Sequence, residues 1–220
     1  MRCSIQCTQR TQQIMRRKPA VAPGEPGFHD HIIEMGAKLL ASVGYEGFTM
    51  RRLACDAGCS PMALYRHFPN KEALIVHLCR EVYVGFTETV KREFDSTDNA
   101  WERLRRLIAA VIRFADKYPD HFSLIFLVRH PDPAVVEERE KLGQVFLLQI
   151  QNAVRLVLPQ STPRRIVRMR LQQMLSVLHG TAALLIAHPG AYRLTRQTAT
   201  QNAEEAIQRI LMNEQSAESQ

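Results

Sequence analysis

The chain has 220 residues, 45% of them hydrophobic and 23% charged, which suits a soluble globular protein of one or two domains and excludes wholesale disorder. Its formal charge of +7 favours a polyanionic partner, because Lys and Arg neutralise phosphates and release their counterions. The five cysteines are an odd, scattered set that makes no disulfide framework, and the longest apolar run, Met174 to Ala187, is broken by Ser176, His179 and Thr181 and is too short to cross a bilayer, so no membrane partner is expected.

From Met1 to Gly27 the chain is polar, basic and then rich in Pro and Gly, which predicts a disordered arm over 1–27. No apolar segment follows its charges as a secretory signal requires, so a cytoplasmic location is expected. The arm can remain a solvated tail or add phosphate affinity, and its Cys3 and Cys7 lack two further ligands at metal-binding spacing. Helical spacing then sets in with Ile33, Gly36, Ala37, Leu40 and Val43 and ends near Gly44. Thr49 caps a short second helix, Ser60 with Pro61 opens a third, and Asn70 opens a fourth that runs to about Phe94.

Between Thr49 and Phe68 the chain has the features of a helix-turn-helix. Two short helices cross closely only over a small residue, as Ala54 is, and the turn between them needs a residue that tolerates positive φ, as Gly58 does. Leu53, Ala57, Cys59 and Leu64 are expected to fill the shared core, and Phe68 extends that stripe. Pro61, Met62, Tyr65 and Arg66 are then left on an outer face toward a major groove. Ser60 and Pro61 present backbone N–H groups at a helix start, Tyr65 suits a phosphate or a base edge, and Arg66 suits guanine. Thr49 and Lys71 are placed to clamp phosphates on either side, with Arg51 beside Thr49 on the same short helix. A plain helical hairpin inside a larger bundle is the structural alternative. His67 either contacts phosphate or satisfies the last carbonyls of its helix. Cys55 and Cys59 are either a redox pair or small hydrophobes.

The stretch Ile33 to Leu74, with Gly44-Tyr45, Phe48-Thr49, Ala57-Gly58-Cys59-Ser60, Leu64-Tyr65-Arg66-His67-Phe68 and Lys71-Glu72-Ala73-Leu74, resembles the TetR family. The resemblance implies an all-α protein: a three-helix DNA-binding head, placed over 28–74, joined to a helical effector-binding and dimerisation body, placed over 75–214; the tail over 215–220 is expected to be disordered. By position, Thr49, Ser60, Tyr65, His67 and Lys71 resemble the family's phosphate-contacting residues, while Pro61, Met62 and Arg66 occupy its variable base-reading face. Met62 stands where many members have Gly, and Pro61 replaces a frequently polar residue.

Further helices are predicted at about Asn99 to Lys117, Asp120 to Arg129, Pro133 to Leu158, Pro163 to His188 and Thr198 to Met212, with no competing strand pattern. Their apolar faces include Leu104, Leu107, Ile108 and Val111, then Ile125, then Val145 and Ile150, most of which are simply core. Phe114, Phe122, Phe126, Phe146 and Met174 are candidates to line a ligand cavity, since bundle interiors commonly hold small-molecule pockets. His179-Gly180 is similar to a Trp-His-Gly signature in some family bodies, with Leu178 in place of Trp, so His179 is either a pocket residue or a hydrogen-bonded core residue.

Between Lys141 and Ala203 there is no Asp or Glu among many Arg, which suits either an acidic effector or pairing with Glu137, Glu138 and Glu140. The last two helices, through Leu175, Leu178, Ala182, Leu185 and Ile186 and then Ala203, Ala206, Ile207 and Ile210, are expected to pack with symmetry mates as a four-helix bundle. The partners expected are therefore operator DNA, a second copy of the chain and a small-molecule effector. No cofactor or metal is expected. An enzyme using His179 with Asp116 or Glu138 has no supporting motif, and an effector-independent module with a filled body remains a third reading.

Overall fold

The computed structural model describes residues 27–188 and 190–212, and among them the backbone is helical with no strand. The expected arm, apart from Gly27, lies outside the described residues, as do Cys3, Cys7 and the tail over 215–220. Helix α1 spans Phe28–Gly47 and breaks at Gly44, whose φ of +66° is tolerated because glycine has no Cβ. The expected end near Gly44 is thus the break itself, and a further turn follows it before the extended Phe48.

Helices α2 (Met50–Asp56) and α3 (Pro61–Tyr65) start where their caps predict: the Thr49 and Ser60 hydroxyls accept the backbone N–H of Arg52 and Ala63 at 3.1 and 3.2 Å. Helix α4 (Lys71–Phe94) follows Asn70, whose side-chain oxygen accepts the Ala73 N–H at 2.8 Å. Helix α5 (Ala100–Lys117) is capped in the same way by Asn99.

The single helix expected over Asp120 to Arg129 is instead a short α6 (Pro119–Phe122) running into a π turn at Ser123–Leu127. Leu124 and Ile125 of this turn are both buried. Helices α7 (Pro133–Val157), α8 (Arg164–Ala187) and α9 (Arg196–Met212) follow. The last begins two residues before the expected Thr198, because Thr195 and Thr198 exchange N–H to hydroxyl bonds of 3.2 and 2.8 Å across its first turn. Among the described residues no helix is long and apolar enough to cross a membrane.

The chain divides into two compact units: the first runs through Val82 and includes Ser123–Arg139, and the second comprises Tyr83–Phe122 and the chain from Glu140 onward. In the first, α1 and α4 approach closely at Gly36, where an added Cβ would lie 2.6 Å from the Leu78 side chain. Ile32, Leu40, Leu53, Leu64 and Leu74 fill the space around them, and each such burial is worth roughly 1.5–3 kcal/mol.

In the second unit α5, α8 and α9 pack against one another. Leu178, Ala182, Ala203 and Ile207, expected at a subunit interface, are buried within the chain itself. Leu184, next to that stripe on α8, is exposed, while Leu175, Leu185, Ala206 and Ile210 are half-buried. Val145 and Leu148 on α7 are also exposed, so the expectation of a core role for Val145 is corrected: Phe146 and Ile150 face inward and Val145 falls on the opposite side.

Candidate nucleic-acid interface

The helix-turn-helix is built on buried small and aliphatic groups. Ala54 has no exposed surface, and its carbonyl accepts the Cys59 N–H at 2.9 Å, closing the turn. Gly58 sits in that turn at φ +69°, a conformation costing a residue with a side chain about 1–2 kcal/mol. Leu53 and Leu64 are fully buried from opposite helices, and the His31 ring nitrogen lies 3.2 Å from the Ala57 carbonyl, tying α1 to the end of α2. Two core expectations need amending. Cys59 is only half-buried, and so is Phe68, whose ring meets His77 at a tilt of 46° with centres 5.1 Å apart.

What remains outside is the set expected to meet DNA. Pro61, Arg66 and His67 are exposed, Met62 is 64% exposed and Tyr65 49%. Five residues of helix place Met62, Tyr65 and Arg66 on one side with Leu64 and Ala63 on the other. Thr49, Arg51 and Ser60 are exposed as well. The two hydroxyls serve as caps by accepting, so each keeps an O–H able to donate to a phosphate oxygen.

Lys71 is different from the others. Its ammonium donates to the Tyr45 carbonyl at 2.5 Å and lies 3.5 Å from the centre of the Tyr45 ring, a cation–π geometry. The Tyr45 hydroxyl donates to Glu72 Oε1 at 2.6 Å. That hydrogen bond, aided by burial, pushes the Tyr45 phenol from 10.0 up to about 12, and the same bond holds the Glu72 carboxyl below its usual range. The Tyr45 ring also meets His130 edge-on, 4.3 Å between centres.

His130 is buried, and burial holds its imidazole below the ordinary range. Its Nδ1 accepts the Asp132 N–H at 3.1 Å, which puts the proton on Nε2, a buried atom with no hydrogen-bond partner. Nothing local in the sequence pairs Tyr45 with Lys71 or Glu72, because the partners lie 26 and 27 residues apart.

The candidate ligand residues fall into both units. Phe126, half-buried, belongs to the first. In the second, Phe114 and Phe146 both pack on the fully buried Phe86, at 4.8 and 4.7 Å, and Phe122 lies 6.0 Å from the His179 ring. Met174 is fully buried, and burial depresses the imidazole of His179, keeping it neutral. Phe86, on α4, was not among the sequence candidates, and it lies 28 and 60 residues from the two rings that it joins. A shallow depression of about 650 Å³ lies elsewhere in this unit, between Asp116, Leu185, Thr195 and Arg196, and none of the ligand candidates lines it.

Arg196 pairs with Asp116 at 3.7 Å, an ion pair that occupies the carboxylate considered for an enzyme. Cys59 and Cys79 are both held as thiols by burial, Cys79 at about 11, which opposes ready oxidation.

Residues 32–78 match the family described as bacterial regulatory proteins, tetR family, and residues 104–210 match the tetracyclin repressor-like C-terminal domain, together well over half of the chain. The nucleoid occlusion factor SlmA of Photobacterium profundum is 30% identical over 41% of this chain and 46% of its own length. Its counterpart in Shewanella woodyi is 25% identical over 61% of this chain and 68% of its own. The chain thus spans about half to two thirds of the relatives it matches.

Among solved structures, the transcriptional regulator FadR from Bacillus subtilis in complex with stearoyl-CoA superposes with a TM-score of 0.71 at 15% identity, covering 84% of this chain and 98% of that one. The regulator PfmR from Thermus thermophilus gives 0.64 at 22% identity, over 84% and 96%. These two likenesses are of fold.

Proposed function

Because the chain belongs to the TetR family of helix-turn-helix DNA-binding transcription regulators, we propose that it is a repressor, dimeric on a palindromic operator and released by a small-molecule effector. The observation that carries the reading is the exposed set Pro61, Met62, Tyr65 and Arg66 held over the fully buried Ala54 and Leu64. Thr49, Arg51, Ser60 and His67 flank it as phosphate contacts, and Lys71 joins them by releasing the Tyr45 carbonyl.

Two such heads related by a two-fold axis meet successive major grooves one helical turn apart. The still accessible Leu184, Leu175 and Ile210 of α8 and α9 supply apolar surface for that pairing. The role is regulatory rather than catalytic, and it belongs in the cytoplasm with the chromosome.

Effector release requires the ligand to prefer a conformation in which the heads no longer match the grooves. Phe114, Phe122, Phe146, Met174 and His179 of the second unit are the proposed walls of its site. Stearoyl-CoA in the similarly folded FadR makes acyl-CoA thioesters the first compounds to try, and the stretch from Lys141 to Ala203, free of Asp and Glu, suits an anionic head group.

Titration of a palindromic fragment from upstream of the gene, at several salt concentrations, tests the DNA-binding core of this reading. Affinity should fall steeply with salt and fall again in Tyr65→Ala and Lys71→Ala. Salt-independent binding, unchanged in both variants, would sink it.

A further inference from the structure

Three metal-ligating side chains converge on the first unit at a point the DNA-binding reading does not use. His29 stands in the first turn of α1, and His77 and Glu81 stand one helical turn apart on α4. One ligand atom from each lies within 4.8 Å of the other two, and the Nε2 atoms of the histidines approach to 2.6 Å. The rings meet nearly perpendicular, 84° apart with centres 4.9 Å from each other.

A hydrogen bond between two neutral imidazoles accounts for the pair of nitrogens. It leaves out the Glu81 carboxylate, which the helical period of α4 brings beside His77, itself 48 residues from His29 in sequence, and which faces His29 at the same point. Two imidazoles and a carboxylate are the donor set of three-residue zinc sites that keep a fourth position for water.

We propose that His29, His77 and Glu81 bind a borderline divalent transition metal such as Zn²⁺, bracing the first turn of α1 against α4. The surroundings favour those ligands. Burial depresses the His77 imidazole, leaving its nitrogen lone pair available at neutral pH, and the Phe68 ring, 5.1 Å away, holds it in place.

Asp30 Oδ1 lies 3.7 Å from His29 Nδ1, outside hydrogen-bond range but near enough to accept the Nδ1 proton once the ring turns. The two Nε2 atoms need to part by less than about 1 Å to surround a metal at roughly 2.0–2.1 Å, and the exposed His29 ring has room to turn. A set rich in nitrogen favours Zn²⁺, Ni²⁺ or Cu²⁺ over Mg²⁺ or Ca²⁺, which take oxygen ligands. The bound ion spans 48 residues of sequence and, by engaging only the folded arrangement, stabilises the unit.

The test uses the full chain without an affinity tag, and it needs no DNA, so its result is independent of the proposed operator. Calorimetric titration with ZnCl₂ should give a site of one ion per chain, and MgCl₂ should give none. At a free Zn²⁺ concentration a hundredfold above Kd, Tm should rise by about 5–10 °C.

His29 and Glu81 are both exposed, so His29→Gln, Glu81→Gln and their double variant should keep the fold, as judged by circular dichroism. The double variant should lose Zn²⁺ affinity by about tenfold or more. Undiminished affinity in it, equal binding of Mg²⁺, or no Zn²⁺ binding by the unaltered chain overturns the proposal.

Discussion

Replacing Tyr45 by Phe removes one hydroxyl and leaves in place the ring over which Lys71 sits, so the change isolates the 2.6 Å bond to Glu72. A hydrogen bond to a charged partner contributes roughly 1.5–3 kcal/mol. Both residues are half-buried, and solvent screening brings the expected loss to about 1 kcal/mol. For a chain of this length that is a fall in Tm of about 2–4 °C.

Urea denaturation of the parent, Tyr45→Phe, Glu72→Gln and the double variant closes a cycle whose coupling should be about 1 kcal/mol. Its pH dependence follows from the two shifts. Glu72 is held below its ordinary 4.5, so its share is present above that pH and is lost as pH falls through the lowered value. Tyr45 is raised from 10.0 to about 12, so its share is present below 10 and is lost as pH rises through 12. The coupling should therefore hold between 4.5 and 10 and vanish on both sides. Additive losses at pH 7 would refute the claim that this bond joins α1 to α4.

Gly58→Ala should cost about 1–2 kcal/mol by urea denaturation, because φ +69° strains any residue with a Cβ; a neutral result would mean that the turn relaxes. Arg66→Ala should weaken operator binding by about 1–3 kcal/mol in a mobility-shift titration, while leaving Tm unchanged because its side chain is exposed. A parallel drop in Tm would assign it to the fold instead.

His179, depressed by burial, binds fewer protons folded than unfolded below its ordinary 6.5, so the stability it protects is complete above that pH and lost as pH falls. His179→Gln should flatten the decline in Tm between pH 7 and roughly pH 5, and an unchanged slope would assign the decline to His77 and His130.

The head was legible from sequence because its punctuation is local. Thr49, Ser60 and Asn70 each cap the helix that follows by accepting the N–H three residues on, and Gly58 marks its own turn. The body was legible as helices but not as partners. Periodicity says that Leu178 and Ile207 face something apolar, and their neighbours prove to be α5, α8 and α9 of the same chain rather than a second copy. Phe86 joins Phe114 to Phe146, and Tyr45 joins Lys71 and Glu72, across separations that no window of sequence contains. The π turn at Ser123–Leu127 was hidden for another reason: its composition is that of an ordinary apolar helix.

The division of labour within α3 bears on how such a regulator changes its target over evolutionary time. Leu64 and Ala63 hold the helix down, whereas Pro61, Met62, Tyr65 and Arg66 contribute little to the interior. On the reading proposed, mutations at Met62, Tyr65 and Arg66 that rewrite operator preference draw little on the stability margin, so a lineage can drift from one binding sequence to another without passing through an unfolded intermediate genotype. The same property makes this head a scaffold on which a new reading face can be grafted.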